Sequence, residues 1–161
     1  MVININNFFN FQNKNSKIGD FQDLEHLDGV SVSTISAGLY NLKRDDLVMF
    51  YFRDGANHAS VFTQSKIISE NIKWNLNIKS KKIKALLINT RNANSFTGRD
   101  GYKGLKTIAD KLSAELTLKQ VSDEEKPAKV KNNEILFACT GTIGETFPTE
   151  KIVLKIIISF F

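Results

Sequence analysis

A chain of 161 residues, 42% apolar and 24% charged, has globular composition and enough length for one ordinary domain with a buried core. Its single cysteine, Cys139, excludes an internal disulfide and a cysteine-based metal framework, and no apolar run is long enough to span a bilayer. The net charge of +5 is dispersed, and its densest run, Lys79-Ser80-Lys81-Lys82-Ile83-Lys84, reads as the solvated lead-in to a strand, with no nucleic-acid-binding pattern beside it. Met1 to Lys17 lack the charged, apolar, small order of a secretory signal. The expectation is a cytoplasmic protein with neither membrane nor nucleic acid as a partner.

Residues 1–19 are rich in Asn, Lys, Gln and Phe without steady periodicity, which predicts a poorly ordered leader ahead of one domain over 20–161. Asp20 to Leu27 reads as a short helical turn. Val30 to Ile35 suits a strand, and Gly38 marks a turn or close backbone approach. Leu47 to Phe52 is apolar on both faces, as in a strand covered on both sides. Ala59 to Thr63 is a further strand candidate, and Lys66 to Leu76 a helical one. Ile83 to Ile88 is another apolar strand, running into an Asn-rich loop, Asn89 to Ser95, whose residue types favour positive φ and tight irregular turns.

The clearest helix follows. Tyr102, Leu105, Ile108, Ala109, Leu112 and Leu116 fall on one stripe, with Lys103, Lys106, Asp110, Lys111 and Glu115 facing away. Thr97, three residues before Asp100, has the spacing of an N-terminal cap. Ser122 to Lys131 reads as a charged surface loop, Glu134 to Cys139 as a strand, and Thr140-Gly141-Thr142-Ile143-Gly144 as a sharp break. Strands and helices mix without strict alternation, which predicts a layered α/β or α+β domain.

Familiar catalytic patterns are missing. There is no Gly-x-Ser-x-Gly elbow, phosphate loop or His-Glu-x-x-His pair, and His26 and His58 have no ligand-spaced partner, so no metal and no bound cofactor is expected. Cys139 ends an apolar strand, where a thiol behaves as a small hydrophobe. Thr140-Gly141 admits two readings. A hydroxyl and an unencumbered N–H at a strand's end can converge on one oxygen, as acyl transfer requires; or the glycines merely turn the chain, the simpler reading from composition. The Asn89 to Gly98 amides present the same choice, between lining a polar pocket and satisfying their own loop.

Four segments together carry a resemblance. Ala37-Gly38-Leu39 with Arg44-Asp45-Asp46-Leu47, Ser60-Val61-Phe62-Thr63-Gln64-Ser65, Asn92-Ala93-Asn94-Ser95-Phe96-Thr97-Gly98 and Cys139-Thr140-Gly141-Thr142-Ile143-Gly144-Glu145, then Pro148 and Lys151-Ile152, occur in this order. They are similar to the Ala-Gly-Ile-Lys, Gly-Val-Phe-Thr-Thr-Asn, Asn-Ala-Asn-Ala-x-Thr-Gly and Ser-Thr-Gly-Val-Ile-Gly elements of the bifunctional glutamate N-acetyltransferase/amino-acid acetyltransferase family, the ornithine acetyltransferases of arginine biosynthesis. The likeness covers about Val30 to Ile152. It departs at Asn89-Thr90-Arg91, where the family usually has Asn-Ser-Gly.

The resemblance implies a mixed sheet packed with helices, in a self-cleaving architecture shared with aminopeptidase-like relatives. It also implies a mechanism. Family precursors cut themselves before a threonine, whose freed α-amine serves as general base for its own hydroxyl. That threonine takes acetyl from N-acetylornithine and passes it to glutamate; some members accept acetyl-CoA as donor. The two chains associate as a hetero-oligomer. On this pattern Thr140 and Gly141 correspond to the oxyanion-stabilising pair. Asn92, Asn94 and Arg91 are the candidates for substrate contact, with the two asparagines better suited to an architectural role.

The family's Lys-Gly-x-Gly-Met and Ala-Thr-Met-Leu elements, which surround the cleavage site, do not occur in these 161 residues. After Ile152 the sequence ends in an apolar stretch, Val153 to Phe161, read either as a strand or as the product of a premature stop or frameshift. The expectation is therefore an incomplete alpha-chain domain that lacks the nucleophile and is inactive unless a second, beta chain supplies it. The competing readings are a non-catalytic fragment or amino-acid-binding module of the same fold, and an aminopeptidase-like relative.

Overall fold

The computed structural model describes residues 27–123 and 129–159. The leader predicted over 1–19, and the turn predicted over Asp20 to Leu27 except for its last residue, lie outside the described residues. Four strands form one sheet among them: β1 (Val30–Ile35), β2 (Leu47–Asn57), β3 (Lys82–Asn89) and β4 (Ile135–Cys139), in the order β1-β2-β3-β4. The first three pair antiparallel, and β4 lies parallel to β3. A parallel neighbour needs a long crossover, which here is helix α2 (Gly98–Asp123). The sheet is thus mixed, as the sequence predicts.

Alternation along the strands sorts their side chains. Leu47, Met49 and Tyr51 of β2, Ile83, Ala85 and Leu87 of β3, and Ile135 and Phe137 of β4 are buried. All but Ile83 join the core beneath the helices. The opposite face is also apolar. Cross-strand pairing lines up Val32, Phe50, Leu86 and Leu136 in one row and Val48, Ile88 and Ala138 in the next. Val48, Phe50, Leu86 and Ile88 are half-buried, and Val32 is 42% exposed. Among the described residues no helix or strand packs on this second face.

Helix α2 forms on its predicted stripe: Leu105, Ile108, Ala109, Leu112 and Leu116 are fully buried, while Lys106 and Asp110, one turn apart, pair on the outer side. The helix begins earlier and ends later than the stripe indicates, so Ser122 and Asp123 belong to its last turn, not to the predicted loop. The predicted Thr97 cap does not form. Thr97 Oγ1 donates to Asn94 Oδ1 at 2.6 Å, and that pair fills the space above Gly101, where a Cβ would lie 2.0 Å from Thr97 Oγ1.

The short helix α1 (Glu70–Leu76) guards the sheet edge. Trp74 stacks edge-on against Phe137, with ring centroids 5.5 Å apart, and its Nε1 donates to the Ile135 carbonyl at 2.9 Å. Asn75 behaves like a neighbouring strand: Nδ2 donates to the Phe137 carbonyl at 2.8 Å, and Oδ1 accepts the Phe137 N–H at 3.1 Å. Edge groups of β4 that would otherwise invite pairing are closed by side chains.

Two predicted elements are corrected. Ala59 to Thr63 is not a strand: it runs free of the ladder, with Val61 fully exposed, and an extended segment without a pairing neighbour gains no hydrogen bonds. The apolar stretch after Pro148 is helix α3 (Thr149–Ser159), not a strand. Ile152 and Ile156, four residues apart, both point into the core. The tertiary burial of that helical stripe overrides the β preference of isoleucine.

Candidate active site

Because β3 and β4 are parallel, their C-terminal ends, Asn89 and Cys139, finish side by side. The pairing continues past the strands. Thr140 N–H donates to the Asn89 carbonyl (3.1 Å), Thr142 N–H to Arg91 (2.9 Å), Ala93 N–H to Thr142 (3.0 Å) and Gly144 N–H to Ser95 (2.9 Å). The two motifs, distant in sequence, are laced into one surface. Thr140 and Gly141 sit exposed at its outer side. The Thr140 hydroxyl and the Gly141 N–H have no hydrogen-bond partner among the described residues, so both donors are available to a ligand.

Gly141 is required by the lacing itself. Its φ is 134°, and a Cβ there would lie 2.2 Å from the Arg91 carbonyl carbon. A side chain would separate the two segments.

The asparagines serve the loop. Asn92 is 3% exposed and donates from Nδ2 to the carbonyls of Glu145 (3.2 Å) and Thr146 (3.1 Å), while its Oδ1 accepts the Asn94 N–H at 2.8 Å. Asn94 is fully buried, donates to the Gly101 carbonyl and accepts from Thr97. Asn89 Nδ2 closes the turn on Asn92 O at 2.8 Å. As placed, Asn92 and Asn94 bond within their own loop and its neighbours and present no free amide to solvent.

Arg91 behaves differently. It holds a φ of 76° and reaches across to the Thr140–Glu145 segment. Nη1 donates to Glu145 Oε2 (2.6 Å) and Thr142 Oγ1 (2.7 Å), and Nη2 to Glu145 Oε1 (3.1 Å).

Two cavities flank this surface. One, about 650 Å³, lies between the start of α2 and the segment entering α3, lined by Phe96, Asp100, Glu145, Phe147 and Glu150 among others. The other, about 300 Å³, is lined by Leu39, Tyr40, Asn41, Leu42, Arg44 and Arg91. Thr140 and Gly141 line neither. They face outward.

The sequence reading missed Asp46. It is 2% exposed, and its carboxylate accepts the N–H groups of Ala37 at 2.6 Å and Leu39 at 2.7 Å. Its own N–H donates to Ile35 O and its carbonyl accepts from Thr90 N–H. The Ala37-Gly38-Leu39 turn is thus tied to the start of β2 and, through Thr90, to the site loop. Lys151 of α3 completes the knot by donating to the Gly38 carbonyl at 2.9 Å. Three of the four quoted motifs meet at one corner of the fold.

Cys139 stands beside the site but is not equipped as a nucleophile. Desolvation pushes its thiol from the ordinary 9.0 up to about 12. A raised folded-state value means that the half-buried neutral thiol favours folding below pH 9 and that this contribution is lost as pH rises from about 9 towards about 12. Alkylation at pH 8 should therefore run at least about tenfold slower in the native than in the urea-unfolded chain; equal rates would show the thiol to be accessible. Of the predicted histidines, His26 lies outside the described residues, and His58 is half-buried in the segment after β2.

A sequence profile of the ArgJ family matches residues 31–159. This chain belongs to the ArgJ family. Relatives called arginine biosynthesis bifunctional protein ArgJ include that of Bartonella henselae, 34% identical over 135 residues, which are 83% of this chain and 30% of the relative. Another, from Bradyrhizobium diazoefficiens, is 33% identical over 130 residues, 80% of this chain and 29% of the relative. The chain thus spans less than a third of the length of these ArgJ relatives.

Solved structures agree on the fold. The crystal structure of ArgJ from Bacillus halodurans superposes with a TM-score of 0.67 at 26% identity, covering 80% of this chain and 62% of that one. The ornithine acetyltransferase of Mycobacterium tuberculosis, solved in complex with ornithine, gives 0.68 at 22% identity over 80% and 64% of the two chains. At that identity the second likeness concerns the fold alone. Among the described residues no helix is long and apolar enough to cross a membrane.

Proposed function

We propose that this chain supplies the oxyanion-stabilising half of a glutamate N-acetyltransferase site, and that a polypeptide outside these 161 residues supplies the threonine nucleophile. The observation that carries the proposal is the pair of unpartnered donors, Thr140 Oγ1–H and Gly141 N–H, exposed where the two family motifs are laced together. In the reaction proposed, the partner's threonine hydroxyl attacks the acetyl carbonyl of N-acetylornithine. Its proton passes to the threonine's own α-amine and then to the departing amine of ornithine. The negative charge that develops on the carbonyl oxygen is met by the two donors of this chain. Glutamate's amine then attacks the acetyl-threonine ester, the same two donors meet the second oxyanion, and collapse expels the threonine oxygen, which takes the amine's proton by way of the α-amine and leaves N-acetylglutamate and the free threonine.

The partner's place is suggested by the sheet. Its second face carries Val32, Val48, Phe50, Leu86 and Ile88, and apolar sheet faces stack on other sheets about 10 Å away. We assign this face to the polypeptide that corresponds to the remaining length of the ArgJ relatives. The activity would belong to a cytoplasmic biosynthetic enzyme, assembled as a hetero-oligomer.

Mixing this chain with a second polypeptide that begins at the threonine of an ArgJ relative tests the proposal. The expected result is a co-eluting complex that transfers acetyl from N-acetylornithine to glutamate, with acetyl-CoA as a second donor to be compared. A stable complex without transfer would favour the binding-module reading. Failure to associate would remove the proposed partner.

A further inference from the structure

We infer that Arg91 is a positioning residue, which holds the Thr140–Gly141 donors in direction by clamping the segment that carries them. The use of the donors rests on the function proposed above; the clamp rests on geometry alone.

Arg91 holds a turn conformation that glycine would adopt without strain. The backbone here has φ 76°, a left-handed conformation that is strained for a non-glycine residue. Such a conformation persists only where the surroundings over-determine it. In this chain the surroundings are the arginine's own side chain. Its guanidinium forks onto both oxygens of Glu145 and shares Nη1 with Thr142 Oγ1, while its carbonyl accepts the Thr142 N–H. Backbone and side chain of one residue therefore hold the segment that follows Gly141, at Thr142 and again at Glu145.

Both anchors lie on the C-terminal side of Gly141. Thr142 follows Gly141 directly, and Glu145 closes the segment before it enters α3. A glycine at 91 would relax the turn but would leave the exposed loop from Thr140 to Glu145 without the fork. The paired side chains are 37% and 46% exposed, so the fork is a partly solvated bidentate pair whose effect is local.

The test is amide hydrogen exchange on the full chain, read at Thr142 and Gly144, with Leu112 of the buried α2 stripe as a reference. Arg91→Gly and Glu145→Gln should each raise exchange at Thr142 about fivefold while leaving Leu112 unchanged. The double variant should add little to either single change. Arg91→Lys, which keeps the charge without the fork, should restore only part of the protection. Unchanged exchange at Thr142 would overturn the clamp, as would an equal rise at Leu112, because that reports global loosening.

In the assembled enzyme, Arg91→Gly should lower kcat about tenfold with KM for N-acetylornithine within about twofold; an unchanged kcat would overturn the positioning role. If the native mixture transfers no acetyl while Thr142 still loosens, the functional proposal fails and the clamp stands.

Discussion

Replacing Thr140 with alanine in the assembled enzyme should lower kcat by roughly 10²–10³, with KM for N-acetylornithine changed by less than about threefold. The split follows from where the hydroxyl sits. In the free chain it makes no hydrogen bond to any described residue, so the substitution removes no internal hydrogen bond and should not disturb the fold. The ground-state carbonyl is a weaker acceptor than the oxyanion, and the donor acts chiefly on the transition state. A kcat within about twofold of the native value would remove Thr140 from the mechanism. Steady-state kinetics together with a thermal melt of the variant separate lost chemistry from lost structure.

The largest effect on stability is expected at Asp46. Asp46→Asn keeps the volume of a side chain that is 2% exposed, but it exchanges one acceptor oxygen for a donor facing an N–H group. One of the two amides in the Ala37–Leu39 turn is then left buried without a partner, at a cost of about 2–3 kcal/mol. For a chain of this size that corresponds to a fall in Tm of roughly 5–10 °C. The damage should spread along the knot, since Asp46 also holds Thr90 and the turn receives Lys151 from α3. A melt within about 1 °C of the native chain would show that the turn has another support.

Why Asp46 escaped sequence reading is instructive. Its partners lie nine and seven residues earlier, across a turn whose shape the carboxylate itself determines. No local pattern announces that, although the Ala37-Gly38-Leu39 and Arg44-Asp45-Asp46-Leu47 elements were both recognisable as motifs. What was legible were features with a period. β1 falls on its predicted Val30–Ile35 span, and the stripe of α2 was visible in every third or fourth residue. The apolar character of both faces of β2 was legible as well; what covers its second face was not.

The errors have physical causes. A run of isoleucines carries β preference, and only the burial of Ile152 and Ile156 against the core makes α3 a helix. Ala59 to Thr63 has strand-like composition but no neighbour in the ladder. At the site, the resemblance brought Thr140-Gly141 and the Asn-rich turn into one mechanism, yet their lacing depends on the parallel register of β3 and β4, which no local signal encodes. The Arg91–Glu145 fork joins residues 54 apart, and a departure from the family turn was its only trace in the sequence.

The most direct test is intact-mass spectrometry of the partner polypeptide after incubation with N-acetylornithine in the absence of glutamate. With this chain present, an acetyl adduct should accumulate on the partner's N-terminal threonine. With the Thr140→Ala chain it should form roughly 10²–10³ times more slowly. An adduct that forms equally fast without this chain, or with the variant, would contradict the account.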